Sequence, residues 1–220
     1  LCELWASDLR THITDKRWGR VKSQLNTLQN QHGISNAFSD KHEIARKYDP
    51  LKSVIGEYGG AKIAIDEEEI LLHISTKNIK LELNLRRGLV IQSLAFASHD
   101  MEPCIGTLPH GYFSCISLGA DYYSGGVVVE LPLQRRRITD LEKVEPTFLI
   151  KDNGNIEIHA EIITQFGSII KVVEVSTNSE KVSLSYNFSK WDKIIGSVRL
   201  GIMTLLNQFS HKNTKLLCSN

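Results

Sequence analysis

The chain reads as mainly β, an antiparallel β-sandwich preceded by a helical segment. Three observations predict this. The apolar period switches from about 3.6 residues to 2 just after Ala61, about nine or ten short alternating stretches follow, and turn-forming residues separate them. An antiparallel sheet with one face on a core produces that alternation, and many short strands of this kind pack as two layers.

Before the switch, Leu1, Leu4, Trp5 and Leu9, then Trp18, Val21, Leu25 and Leu28, recur at three- and four-residue steps, which predicts helix. Gly33 is a stop signal. The middle of the stretch, with Thr11, Thr14, Asp15 and Gly19, leaves open one long helix or two shorter ones. The stripe carrying Trp5 and Trp18 is a core face or a partner-docking face. Ser39-Asp40 can cap a brief helix over 42–47. Pro50 and the glycines at 56, 59 and 60 read as a linker. The expected division is a helical segment and linker over 1–55 and a β-sandwich over 56–220.

Within the sandwich, strands are expected over 62–65, 70–74, 80–85, 89–96, 127–131, 147–151, 156–163, 168–175, 182–188 and 197–205. The stretch 80–85 shows the pattern most cleanly, with Leu81, Leu83 and Leu85 on one face. Asp66-Glu67-Glu68-Glu69, Thr76-Lys77-Asn78, Arg86-Arg87-Gly88, Asp152-Asn153-Gly154-Asn155 and Thr177-Asn178-Ser179-Glu180 supply turns.

Composition removes several function classes. Of 220 residues 41% are hydrophobic and 23% charged, and 26 Lys and Arg face 25 Asp and Glu for a formal charge of +1. Those values suit a globular protein and argue against disorder and against a dedicated polyanion or nucleic-acid binder. No apolar run approaches the roughly 18 residues that cross a bilayer, so no membrane partner is expected. Cys2, Cys104, Cys115 and Cys218 form no C-x-x-C pair and support neither a zinc knuckle nor a redox motif. They read as reduced thiols of a cytoplasmic protein, with a Cys104–Cys115 bridge as the alternative if the chain is secreted. Asn187-Phe188-Ser189 is a glycosylation triplet of a kind common by chance. The chain lacks G-x-G-x-x-G, G-x-x-x-x-G-K-[ST], G-x-S-x-G and H-E-x-x-H, which withdraws support from nucleotide chemistry, elbow-type serine hydrolysis and a zincin site. No cofactor and no metal are expected.

The longest stretch without periodicity is 97–126, and a loop of that length in a compact sandwich usually serves a function. It gathers His110, Tyr112, Asp121, Tyr122 and Tyr123 among glycines. Sugar recognition needs flat aromatic faces against C–H surfaces and carboxylate or imidazole groups for hydroxyls, and these residues supply both. The plainer alternative is a packed connection whose Tyr hydroxyls and imidazole satisfy loop backbone. Elsewhere, Glu157, His159 and Glu161 alternate on one strand face, a spacing that fits a solvated sheet face better than a metal or acid–base site. Arg135-Arg136-Arg137 reads as a solvated strand end with ion pairs to the nearby Asp140, Glu142 and Glu145.

Three stretches carry a resemblance: Asn84-Leu85-Arg86-Arg87-Gly88-Leu89-Val90-Ile91-Gln92-Ser93-Leu94; Gly106-Thr107-Leu108-Pro109-His110-Gly111-Tyr112-Phe113 with Leu118-Gly119-Ala120-Asp121-Tyr122-Tyr123-Ser124-Gly125; and Ser197-Val198-Arg199-Leu200-Gly201-Ile202-Met203-Thr204-Leu205. Together with the helical start they resemble the C-terminal part of glycoside hydrolases of the family 57 and family 38 α-mannosidase type. There, a helical bundle and a galactose-mutarotase-like sandwich follow a catalytic β/α barrel. The resemblance spans residues 1–10 and 80–210.

It implies a mutarotase-like sandwich that braces or completes a sugar groove, with an oligosaccharide or polysaccharide and the parent chain's catalytic barrel as partners. No barrel occurs in these 220 residues, so no catalytic carboxylate carries over. The absent initiator Met and the closing Leu216-Leu217-Cys218-Ser219-Asn220, which reads like a strand cut before its turn, suggest an excerpt of a longer protein. Two alternatives remain. One is a stand-alone epimerase, in which His110 or His159 would pair with Glu130 or Glu157. The other is a purely structural interaction module.

Overall fold

The computed structural model of the chain describes Ser23, residues 48–191 and residues 196–206. Ser23 is helical; the rest of the stripe over 1–33, including Trp5 and Trp18, and the brief helix over 42–47 lie outside the described residues. Among the described residues the fold is mainly β, built of three antiparallel sheets that do not close into a barrel. This is the sandwich-like architecture that the alternation predicts.

One sheet of six strands runs in plain sequence order: β2 (Gly56–Tyr58), β3 (Ala61–Ile65), β4 (Leu71–Ser75), β5 (Ile79–Asn84), β6 (Val90–Phe96) and β7 (Pro103–Gly106). A second sheet has the order β1 (Asp49–Pro50), β10 (Thr147–Ile150), β11 (Ile156–Thr164), β12 (Gly167–Val175) and β13 (Val182–Ser189). The third places β8 (Gly126–Leu131) between β14 (Ser197–Ile202) and β9 (Arg136–Thr139). Residues beyond β14 tie this sheet to the edge of the first. Ile105 bridges Leu205, and the amides of Gly106 and Leu206 donate to Thr204 O and Cys104 O.

The expected linker is instead part of the sandwich. Asp49 and Pro50 pair with Phe148 and Thr147, the short helix α1 (Leu51–Val54) follows, and Gly59-Gly60 turns the β2–β3 hairpin. Breaker residues mark hairpin turns as readily as linkers, and strands of two or three residues are too short to show a period. The four acidic residues at 66–69 do make a turn, and there the Asp66 carboxylate accepts the amides of Ile70 and Leu71.

Inward rows from all three sheets share one core. It includes Ile63 and Ile74, Leu81 and Leu83, Val127 and Val129, Phe148, Ile156 and Ile158, and Ile169, Val173 and Val175. The inward row of β12 therefore reads Ile169, Lys171, Val173, Val175, with a lysine among aliphatic side chains. Lys171 is completely buried, and so is its partner Asp140. The ammonium donates to Asp140 Oδ2 at 2.9 Å and to Gly88 O at 2.8 Å, and it lies 5.7 Å from the centre of the Tyr186 ring. Asp140 Oδ1 in turn accepts the amide of Val127 at 2.8 Å. Burial pushes the Lys171 ammonium below its ordinary pKa, while Asp140 acts to keep it charged.

This one ion pair touches each sheet. Lys171 belongs to the five-stranded sheet, Gly88 to the β5–β6 turn of the six-stranded sheet, and Val127 to the three-stranded sheet, with Asp140 directly after its strand β9. Gly88 is fixed by the approach. Its φ is +60°, and a Cβ there would stand 1.8 Å from the Asp140 carbonyl oxygen. Its amide donates to Glu142 O at 2.7 Å.

A buried charge without its partner is costly, whereas replacing both charges is much less so. Asp140→Ala is expected to lower unfolding free energy by about 3–5 kcal/mol. The double change Lys171→Met with Asp140→Asn, which keeps an acceptor for the Val127 amide, should lose clearly less. Urea unfolding of both variants checks this, and a double variant no more stable than Asp140→Ala would contradict it.

Candidate functional site

The 97–126 segment is more regular than its composition suggests. It holds a 3-10 turn (Ala97–His99), strand β7 and a 3-10 helix (Ile116–Tyr122). The stretch from Thr107 to Ser124 is closed on itself and onto β6. The amide of Ile91 donates to Ser124 O, the Thr107 hydroxyl donates to Ile91 O, and the amide of Leu108 donates to Tyr122 O. The 3-10 helix lies on the outer face of the three-stranded sheet, where Ala120 and Tyr123 pack with Val90, Val128 and Leu141.

Four aromatic rings meet there. His110 stands 5.2 Å from both Tyr122 and Tyr123 and 5.3 Å from Phe113, and Phe113 is 5.9 Å from Tyr122. Both imidazole nitrogens are engaged, Nδ1 with Gly111 O at 2.7 Å and Nε2 with the Tyr123 hydroxyl at 3.0 Å. Tyr123 is buried and supports the imidazole from beneath. Tyr122 is partly exposed, and Tyr112, at 94% exposure, stands almost entirely in solvent. The structure thus brings His110, Tyr122 and Tyr123 into one contact group, adds Phe113 to it, and leaves Tyr112 projecting beside it.

Asp121 turns away from the rings toward the sheet. Its Oδ1 lies 3.0 Å from Arg199 Nη2 and its Oδ2 lies 3.6 Å from Arg137 Nη1. Glu130 Oε1 joins the same two guanidiniums, at 2.6 Å from Arg137 and 3.2 Å from Arg199. Arg137 also donates to Ser117 O, so the quartet fastens the 3-10 helix to β8, β9 and β14. The arginine run therefore pairs differently from the sequence expectation. Cross-strand geometry sets Arg137 against Glu130, Arg136 donates to Gln165, and Asp140 is drawn into the core by Lys171. The sequence offered Glu130 only as a candidate partner for a histidine and gave no signal for Arg199, because their meeting depends on the pairing of β14 with β8.

Two further arrangements were open in the sequence. His159 Nε2 does meet Glu157 Oε2, at 3.0 Å, but Glu157 Oε1 is taken by Lys151 at 2.8 Å, and Lys151 also reaches Glu174 at 3.0 Å. Glu161, on the same face, is exposed. His110 and Glu130 each have other partners, as described above. Burial raises the Glu157 and Glu174 carboxyls, yet hydrogen bonds outweigh it and hold both below their ordinary range. Those bonds come from Lys151 and His159 to Glu157, and from Asn155 and Lys151 to Glu174. This is an ion-pair ladder that keeps its carboxylates ionised, which suits strand registration better than proton transfer. Cys104 and Cys115 are both free thiols, the first buried and the second exposed, so the bridge left open by the sequence is not formed.

An apolar hollow of about 420 Å³ opens where β6, β7, β13 and β14 meet, lined by Ile91, Leu94, Phe96, Leu184, Leu200 and Met203 among others. Among the described residues no three His, Cys, Asp or Glu side chains gather as a metal ion would require, and no helix is long and apolar enough to cross a membrane.

Compared with known proteins, the chain matches no protein-family model and no curated sequence.

The ladder gives a signed pH dependence. Carboxyls whose folded pKa lies below the unfolded value, 4.5 for Glu157, contribute stability that is complete above that value and is lost as pH falls through the folded one. Unfolding midpoints from pH 7 down to pH 3 should therefore fall less steeply in Glu157→Gln than in the native chain. Identical acid limbs would remove the ladder's role.

Proposed function

We propose that the chain is the carbohydrate-associated β-sandwich of a glycoside hydrolase, bracing or completing a sugar groove whose catalytic barrel lies outside these 220 residues. The supporting observation is the surface at the end of the three-stranded sheet. The partly exposed Tyr122 packs against His110 and Phe113, with the buried Tyr123 beneath His110; the exposed Tyr112 projects beside this group, and the half-exposed Asp121 precedes Tyr122 in the chain. Aromatic faces next to a carboxylate suit a ring that is apolar on its C–H faces and polar at its edge. Both imidazole nitrogens of His110 are hydrogen-bonded and Tyr123 is buried, so less ordering entropy remains to be lost on binding.

The epimerase alternative is favoured by the Glu157–His159 contact alone, and the Lys151 pairing weakens Glu157 as a base there. Catalysed mutarotation of free aldoses that disappears in His159→Asn would establish it.

A calorimetric screen of the 220-residue chain against α-glucans, mannosides and free monosaccharides tests the main reading. Tyr122→Ala and Tyr112→Ala should each weaken the bound glycan about tenfold, while thermal midpoints stay near the native value. Full affinity in both variants would rule out this surface as the contact.

A further inference from the structure

We propose that Asp121 and Arg199, backed by Arg137 and Glu130, read a vicinal diol, so that the ligand of this surface is a neutral sugar ring rather than a uronate or a phosphorylated sugar. The inference rests on the sugar-contact reading above and adds to it the ligand's charge class and the residues that select it.

Charge sets the first constraint on the ligand. Two guanidiniums and two carboxylates make a cluster of zero net charge, and each carboxylate is already contacted by both arginines. An anionic ligand would have to compete with Asp121 or Glu130 for the same donors. A neutral ligand need not, provided it can both donate and accept. A pair of adjacent hydroxyls does both, giving a hydrogen to a carboxylate oxygen while taking one from a guanidinium.

Accessibility singles out the pair that would do this. Asp121 and Arg199 are the most open members, with 48% and 40% of their side chains exposed, and their contacting atoms lie 3.0 Å apart. That spacing sets a donor and an acceptor side by side, as the two oxygens of a diol require. Arg137 and Glu130, less exposed, hold the other two in place from within the sheet.

Arg199 also has donors in reserve. A single atom, Nη2, serves both carboxylates, while its Nε is buried with no hydrogen-bond partner among the described residues. An orphaned donor of this kind is costly. A turn of the guanidinium that brought Nε onto one carboxylate would free an Nη hydrogen for a ligand oxygen. Asp121 and Tyr122 are consecutive residues of the same 3-10 helix, so the acceptor of the diol-reading pair and one exposed aromatic face are carried by one element.

The test titrates the full 220-residue chain with methyl glucoside, methyl mannoside and methyl galactoside, their singly deoxygenated analogues, and glucuronate and galacturonate. Asp121→Asn and Arg199→Lys are compared with the native chain. The proposal expects a neutral glycoside to bind, its uronate counterpart to bind more weakly, and loss of one of two adjacent hydroxyls to weaken binding about tenfold. It also expects both variants to show the same loss and to discriminate less against the deoxy analogue. Preference for the uronates overturns the inference. So does a native-like response of both variants while Tyr122→Ala still abolishes binding, and in either case the sugar-contact reading stands. Binding of none of these ligands overturns both. The deoxy series uses the native chain, so the outcome does not depend on how well the variants fold.

Discussion

The ion pair of Lys171 and Asp140 is the constraint on which the rest of the structure depends. Sandwich layers ordinarily meet through apolar contact, which is strong but indifferent to small sliding movements. A buried ammonium with defined partners is not indifferent, because each displaced hydrogen bond leaves a polar group unsatisfied in a dry interior. Lys171 must meet both Gly88 O and Asp140 Oδ2, and Asp140 must also meet the Val127 amide, so three sheets are set in one mutual position. Gly88 completes the arrangement because no other residue lets the β5–β6 turn approach the Asp140 carbonyl so closely.

The candidate site inherits that rigidity. Val127 belongs to β8, whose outer face carries Glu130 and packs Val128 under the 3-10 helix. Asp140 thus holds the inner side of the same strand on which the charged quartet and the aromatic base rest. The quartet then clamps the helix from outside through Arg137 and Arg199, and Tyr123 reaches beneath to His110. Exposed groups at this surface are placed by buried ones, which is how a site built on loop residues keeps a fixed geometry.

The strands were legible because an inward-facing row leaves a period of two, and ten of them fall where the alternation puts them. The short strands β1, β2, β7 and β9 were not, since two to four residues cannot display a period. Of the site, the residue types crowded into 97–126 were legible and His110, Tyr122 and Tyr123 do meet. Their unequal roles were not, because burial of Tyr123 and projection of Tyr112 depend on how the segment folds back on Ile91 and Gln92. Arg137 and Arg199 are 62 residues apart and become neighbours only through β8, which pairs with the strand of each. Lys171 offered a signal that alternation alone can yield, a charged residue standing in an apolar row, and its partner Asp140 looked like one more acid beside an arginine run.

Native-state hydrogen exchange tests the account most directly. If the buried ion pair locks the three sheets together, the amides of Val127, Ile158 and Leu81, one in each sheet, exchange only through global unfolding and share one opening free energy. In Lys171→Met with Asp140→Asn, the Val127 amide should then exchange through a smaller, separate opening of the three-stranded sheet. If Val127 already opens independently in the native chain, or if the double variant leaves all three amides equally protected, the sheets are held together by apolar packing and not by the ion pair.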